Sequence, residues 1–99
     1  MTRRRILVCY DITNDRVRTR VADELGWWGS RVQKSVFLIH ASHSDLKALR
    51  RELRGWLTVR TDTILFVELC GQCVPRMQEV GMKRAAAIAK RRPVSWVVI

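Results

Sequence analysis

An α+β sandwich, one antiparallel sheet covered on one face by two helices, is the fold this sequence predicts. Three observations predict it. A continuous apolar run, Ile6 to Tyr10, stops abruptly at Asp11, as a central strand buried on both faces does. Two later stretches repeat apolar residues at helical spacing, and strand-like runs separate them. The chain of 99 residues is the size of one core, and its 47% apolar content allows burial of roughly 65% of the unfolded surface without disulfide staples. A single domain spanning residues 1–99 is expected, and intrinsic disorder is not.

The first helix begins after Thr13 or Asn14, either of which is a good N-cap with Asp15 in the first turn. Val17, Val21, Leu25 and Trp28 then make one apolar stripe. Gly26 weakens its last turn and Gly29 can terminate it. Residues 31–41 are β-prone without a helix period, but Gln33-Lys34-Ser35 interrupts the apolar pattern. Two strands joined tightly near Lys34-Ser35 are the reading. A second helix opens at Ser42 or Ser44, with Asp45 placed as in a capping box, and buries Leu46, Leu49, Leu53, Trp56 and Leu57. Lys47, Arg51 and Arg54 line its outer face, with Arg50 beside them. Thr63 to Cys70 is the next strand, stopped by Gly71. Beyond it, residues 76–80 read as a short strand, residues 82–92 as an Ala-rich helix broken by Pro93, and Trp96 to Ile99 as strand-like.

The order βαββαβ is that of the ferredoxin-like sandwich, with a core over about residues 5–81 and residues 82–99 as a basic segment plus a surplus C-terminal strand. An apolar strand that follows a complete domain must find a sheet edge. Pairing with a second subunit supplies one, so a homodimer is expected.

Charge narrows the partners. Nineteen Lys+Arg against nine Asp+Glu leave +10, and the excess is spread along the chain, +5 in residues 1–73 and +5 in residues 74–99. Arg outnumbers Lys 15 to 4, and the guanidinium fork suits phosphate oxygens. Nucleic acid is the expected partner. The longest apolar runs are five residues, against the ~18 needed to span a bilayer, so no membrane partner is expected. Arg3-Arg4-Arg5 and the run after it imitate a signal peptide, but the apolar part is too short, and a cytoplasmic location is the expectation.

No P-loop, Gly-rich dinucleotide turn, HExxH or GxSxG motif occurs, which removes the support for nucleotide hydrolysis, redox cofactors and serine hydrolysis. The three cysteines are expected as free thiols. Cys70-Gly-Gln-Cys73 has the spacing of a zinc or redox pair, yet zinc takes four ligands and the rest of the chain offers Cys9, His40 and His43. The pair reads as a tight turn, with a zinc site shared between two chains as the alternative. Asp11 is the acid of chemical interest. A carboxylate where a central strand ends sits at the rim of the sheet, and Mg²⁺ is held by as few as one or two carboxylates because it keeps most of its waters. The competing reading is that Asp11 only caps the following loop.

These residues resemble a known family. Tyr10-Asp11-Ile12, Asp15 with Arg16, Arg18 and Arg20, Gly29-Ser30-Arg31-Val32-Gln33, Ser35-Val36-Phe37, Asp62-Thr63-Ile64 and Leu69-Cys70 look like CRISPR-associated protein two, the small adaptation protein of prokaryotic CRISPR systems. The resemblance implies a ferredoxin-like homodimer whose C-terminal strand extends the partner's sheet. It implies a Mg²⁺-dependent endonuclease acting on RNA or DNA, with paired aspartates facing each other across the dimer axis. It further implies a partnership with the CRISPR integrase, CRISPR-associated protein one, in the acquisition of new spacers. By position, Asp11 is then the catalytic metal ligand and Tyr10 its neighbour. Arg18, Arg20 and Arg31 are candidates for phosphate binding, with Arg16 one helical turn from Arg20, and Ser35 and Phe37 line the dimer-proximal site. Lys34 stands where the family often has an aromatic and Leu38 where it often has an acid, so a second metal-directed carboxylate is missing from that strand. Two function classes follow, a metal-dependent phosphodiesterase and a non-catalytic DNA-binding scaffold; an RNA-cleaving toxin of the same fold is a related third.

Overall fold

The computed structural model describes residues 3–80 and 97–98. The chain runs β1 (Arg4–Asp11), α1 (Asp15–Trp28), β2 (Gly29–Gln33), β3 (Val36–Ala41), α2 (His43–Arg54) and β4 (Thr63–Leu69), and then a single 3₁₀ turn over Val74–Arg76, β5 (Gln78–Glu79) and β6 (Val97–Val98). The first four strands form one sheet in the order β2-β3-β1-β4, with every pair antiparallel. This is the predicted βαββαβ sandwich, with β1 inside the sheet and β2 and β4 at its edges.

Local chemistry sets the boundaries. The Asn14 side chain accepts the Val17 amide at 3.1 Å, so Asn14 rather than Thr13 caps α1. The Ser42 hydroxyl accepts the Asp45 amide at 3.2 Å and caps α2. Lys34 and Ser35 are the two-residue turn between β2 and β3, as the broken apolar pattern predicts. The second helix is shorter than its apolar repeat. It ends at Arg54, and Trp56 and Leu57 reach the core from the turn that follows, because the Gly55, Trp56 and Leu57 amides bond three residues back. The predicted helix over residues 82–92 lies outside the described residues.

Alternation along β1 sorts the molecule into two faces. Ile6, Val8 and Tyr10 are buried and meet Phe37, Ile39 and Ala41 of β3, Val21 and Leu25 of α1, and Leu46, Leu49 and Leu53 of α2 in one core. Burial of each large aliphatic chain contributes about 1.5–3 kcal/mol. The opposite face carries no helix. There Leu7, Cys9 and Val36 are half-buried, Leu65 is 60% and Val67 38% exposed, and only Val32 and Leu38 close a small second cluster. The expectation that β1 is covered on both faces is thus met on one face by the chain itself, and the other is an apolar carpet.

Residues Val97–Val98 are a strand, as predicted, and pair in parallel with Gln78–Glu79 of the same chain as a separate two-stranded sheet. They do not join the four-stranded sheet, and the outer edge of β4 has no strand on it among the described residues. Glu79 is buried in this small sheet, and neither carboxylate oxygen has a hydrogen-bond partner among the described residues.

Candidate functional site

Asp11 is the last residue of β1 and faces Thr63 across the ladder. It falls in the odd register with Leu7 and Cys9, on the strand's helix-free side, and it is exposed. No hydrogen bond or ion pair holds its carboxylate among the described residues, so the competing reading, a loop cap, lacks the bond it needs. The loop cap is another acid. Asp62 is 5% exposed and accepts four bonds: the Thr58 amide at 2.9 Å on one oxygen, and on the other the Thr13 amide at 3.2 Å, the Thr13 hydroxyl at 3.0 Å and the Thr61 hydroxyl at 3.1 Å. It ties the loop after Asp11 to the loop before β4 and thereby fixes where β1 ends.

The Thr58 amide is the main reason the Asp62 carboxyl sits below its usual value of 3.8; desolvation pushes the other way, and the Thr13 amide and the two hydroxyls add to the lowering. Folding therefore favours the charged form. That stability is complete above the unfolded value and is lost as pH falls through the lower native one. Thermal midpoints of wild type and Asp62→Ala, followed over roughly pH 5 to pH 1, are expected to converge as the acid is protonated. Parallel curves would remove Asp62 from the loop's stability.

The predicted arginines divide by tertiary contact. Arg18 turns back over its own helix start, where it donates to the Ile12 carbonyl at 2.9 Å and pairs with Asp15. It is a brace for the 12–15 loop. Arg20 lies over the Trp56 ring at 4.0 Å and Arg31 over the Phe37 ring at 5.2 Å, cation–π contacts that leave the guanidinium edges open to an anion. Arg16 is exposed with no ion-pair partner among the described residues. Tyr10, Arg18, Arg31 and Lys34 line a cleft of about 280 Å³ between α1 and the β2–β3 turn. The structure thus brings Arg18 and Arg31 together and sends Arg20 toward α2.

Tyr10 and Phe37 lie on the helix side of the sheet, stacked with centroids 6.3 Å apart, and the Tyr10 hydroxyl reaches the Lys34 carbonyl at 3.4 Å. Ser35 contributes its carbonyl to the Tyr10 amide at 3.0 Å. These three residues shape the β2–β3 turn beside the cleft, and Asp11 stands on the other face. Leu38, at the position where an acid would be a second ligand, is 4% exposed and packed on Val32.

No group of three or more His, Cys, Asp or Glu side chains that could hold a metal exists among the described residues. At the rim of the sheet each chain offers one unpaired carboxylate among the described residues, that of Asp11. That donor set fits Mg²⁺, which takes one or two carboxylates and keeps its waters, and does not fit a closed zinc cage. Asp62 is the residue that sequence reading did not place. Its signal is local, a threonine-rich stretch before a strand, but its bond to Thr13 spans 49 residues.

Comparison with known proteins adds to this geometry. The family model described as CRISPR associated protein Cas2 matches residues 4–77. A protein of Rhodospirillum rubrum named CRISPR-associated endoribonuclease Cas2 4 is 34% identical over 95 residues, covering 96% of this chain and 73% of that protein. One of Thermus thermophilus named CRISPR-associated endonuclease Cas2 2 is 33% identical over 87 residues, covering 81% of this chain and 97% of that protein. Among solved structures, Cas2 of Streptococcus pyogenes superposes with a TM-score of 0.65 at 26% identity, over 69% of this chain and 88% of that one. No described helix is long and apolar enough to cross a membrane.

Proposed function

The chain belongs to the Cas2 family of CRISPR-associated proteins, and from that membership we propose a cytoplasmic homodimer that binds nucleic acid, acts with the CRISPR integrase in spacer acquisition, and cleaves phosphodiester bonds with Mg²⁺ held at Asp11. The observation that carries this reading is the place of Asp11 at the rim of an apolar, helix-free sheet face. Such a face calls for a cover. A two-fold contact sets the same patch of each copy against itself, which brings the strand ends, and with them two Asp11 carboxylates, toward one axis. The outer edge of β4, which carries no strand among the described residues, suits an added strand from a second copy.

Bound there, Mg²⁺ supplies Lewis acidity at a phosphoryl oxygen and a bound water of lowered pKa. The chain's own residues do the rest. Asp11 supplies the anchoring charge, Asp62 and Arg18 hold the loop that positions it, and Arg16, Arg20 and Arg31 meet backbone phosphates. A second reading, the non-catalytic scaffold, is favoured by Leu38, whose burial among apolar groups leaves β3 without a carboxylate ligand.

Binding is tested by its salt dependence. With phosphate contact dominant, log affinity falls with log salt at about 0.9 per phosphate neutralised on duplex DNA. Arg31→Ala and Arg16→Ala are each expected to lower that slope by about one contact and to weaken binding alike on unrelated sequences. Slopes unchanged in both variants would move the interface elsewhere, to the outer face of α2.

A further inference from the structure

We infer that Cys70 and Cys73 form a redox-active dithiol that is reversibly oxidised to an intramolecular disulfide by a small anionic disulfide of the glutathione class. Neither thiol has a part in the site described above. The two Sγ atoms are 3.0 Å apart in the turn that follows β4, and the turn is held by the Cys73 amide donating to the Cys70 carbonyl at 3.0 Å. A bond of about 2.05 Å therefore needs an approach of roughly 1 Å within a turn that is already closed.

Access differs in the way thiol–disulfide exchange requires. Cys70 is exposed and Cys73 half-buried, so the first is the attacking sulfur and the second the resolving one. The Cys73 thiol and the backbone amides of Gln72 and Cys73 stabilise the Cys70 thiolate, and its pKa is lowered, chiefly by the Cys73 thiol. Beside Cys70 lies an open cavity of about 510 Å³ lined by Arg3, Arg4 and Glu68. Arg4 is engaged by Glu68, while Arg3 is exposed at the mouth and offers its charge to the carboxylates of such an oxidant.

The exchange balances. The Cys70 thiolate attacks one sulfur of glutathione disulfide, whose S–S bond breaks; a glutathione thiolate leaves and takes a proton from water. Cys73 loses its proton to solvent and attacks Cys70 Sγ, and the second glutathione thiolate leaves. The protein dithiol has given up two electrons, and the oxidant has become two thiols. The new bond closes a ring across the turn by which the chain leaves the four-stranded sheet for β5.

The test uses the full chain in glutathione buffers of graded oxidised-to-reduced ratio, quenched by alkylation and read by intact and peptide mass. Expected are the loss of two hydrogens, loss of alkylation at Cys70 and Cys73 with Cys9 still alkylated after denaturation, and faster bridging of the folded chain than in urea. Cys73→Ser, which cannot resolve, is expected to accumulate one glutathione on Cys70. A bridge to Cys9, equal rates in urea, or a wild-type chain that stays reduced or holds glutathione unresolved in excess oxidant would each overturn the assignment.

Discussion

Asp11→Asn is expected to reduce Mg²⁺-dependent cleavage to background, a loss on the order of 10²-fold or more, since the several kcal/mol that a metal contributes at the phosphoryl group corresponds to about tenfold per 1.4 kcal/mol. The amide keeps the side chain's shape and removes the anchoring charge. Nothing in the chain holds that side chain among the described residues, so folding loses no bond with it. Light scattering is expected to give the mass of two chains for both proteins, and duplex affinity to stay close to wild type, because one neutralised acid is a small change against +10. The protein must be highly purified, since a basic chain carries contaminating nucleases. Equal cleavage by the two proteins would remove Asp11 from the chemistry and leave the scaffold reading; a single-chain mass for wild type would remove the pairing of carboxylates.

Gly29→Ala is expected to have the largest effect on stability. α1 ends and β2 begins at this residue, and an added Cβ would stand 2.0 Å from the Leu38 carbonyl oxygen, 2.5 Å from Ile39 Cα and 2.8 Å from the Leu38 carbonyl carbon. All three are backbone atoms of β3 and cannot swing aside as a side chain could. The backbone of Gly29 is extended, so the requirement is one of space, not of conformational freedom. Overpacking costs typically 1–3 kcal/mol, and a clash with a central strand belongs at or above the top of that range. At ~4–8 °C per kcal/mol for a domain of this size, the thermal midpoint is expected to fall by about 15 °C or more. Gly26→Ala, at a helix position with nothing near the new methyl, is the control and should be neutral or mildly stabilising. Equal midpoints for the two variants would refute the close approach.

The contrast between these glycines shows what a sequence carries. Both stand near the end of an apolar helical stripe, and the pattern reads both as features of a helix terminus. Only the distance to β3, a partner about ten residues on, separates a tolerant site from a closed one. Periodicity found the two helices, the Lys34-Ser35 turn and the central position of β1, because each depends on local spacing and turn chemistry. It did not divide the arginines. Arg16, Arg18 and Arg20 are alike in sequence, but one is exposed, one is held by Ile12 and Asp15, and one lies over Trp56, thirty-six residues away. Asp62 was legible as part of the Asp62-Thr63-Ile64 motif before a strand, but not its role, since its partner Thr13 belongs to another loop. Asp11 was legible as the stop of an apolar run at the rim of the sheet, and the burial pattern of the folded strand is what assigns it to the helix-free face.

The join between α1 and β2 has a mechanical consequence. Trp28 closes the helix and Gly29 opens the strand, so no loop lies between them to absorb a displacement. Arg18 is carried by the helix and Arg31 by the strand, and both reach the same cleft. Connections of several residues act as springs, and insertions accumulate in them. Here the two guanidinium groups are set on the arms of a rigid bracket. A shift of the helix end passes directly to the start of the strand, so the join itself sets the width of the cleft between Arg18 and Arg31.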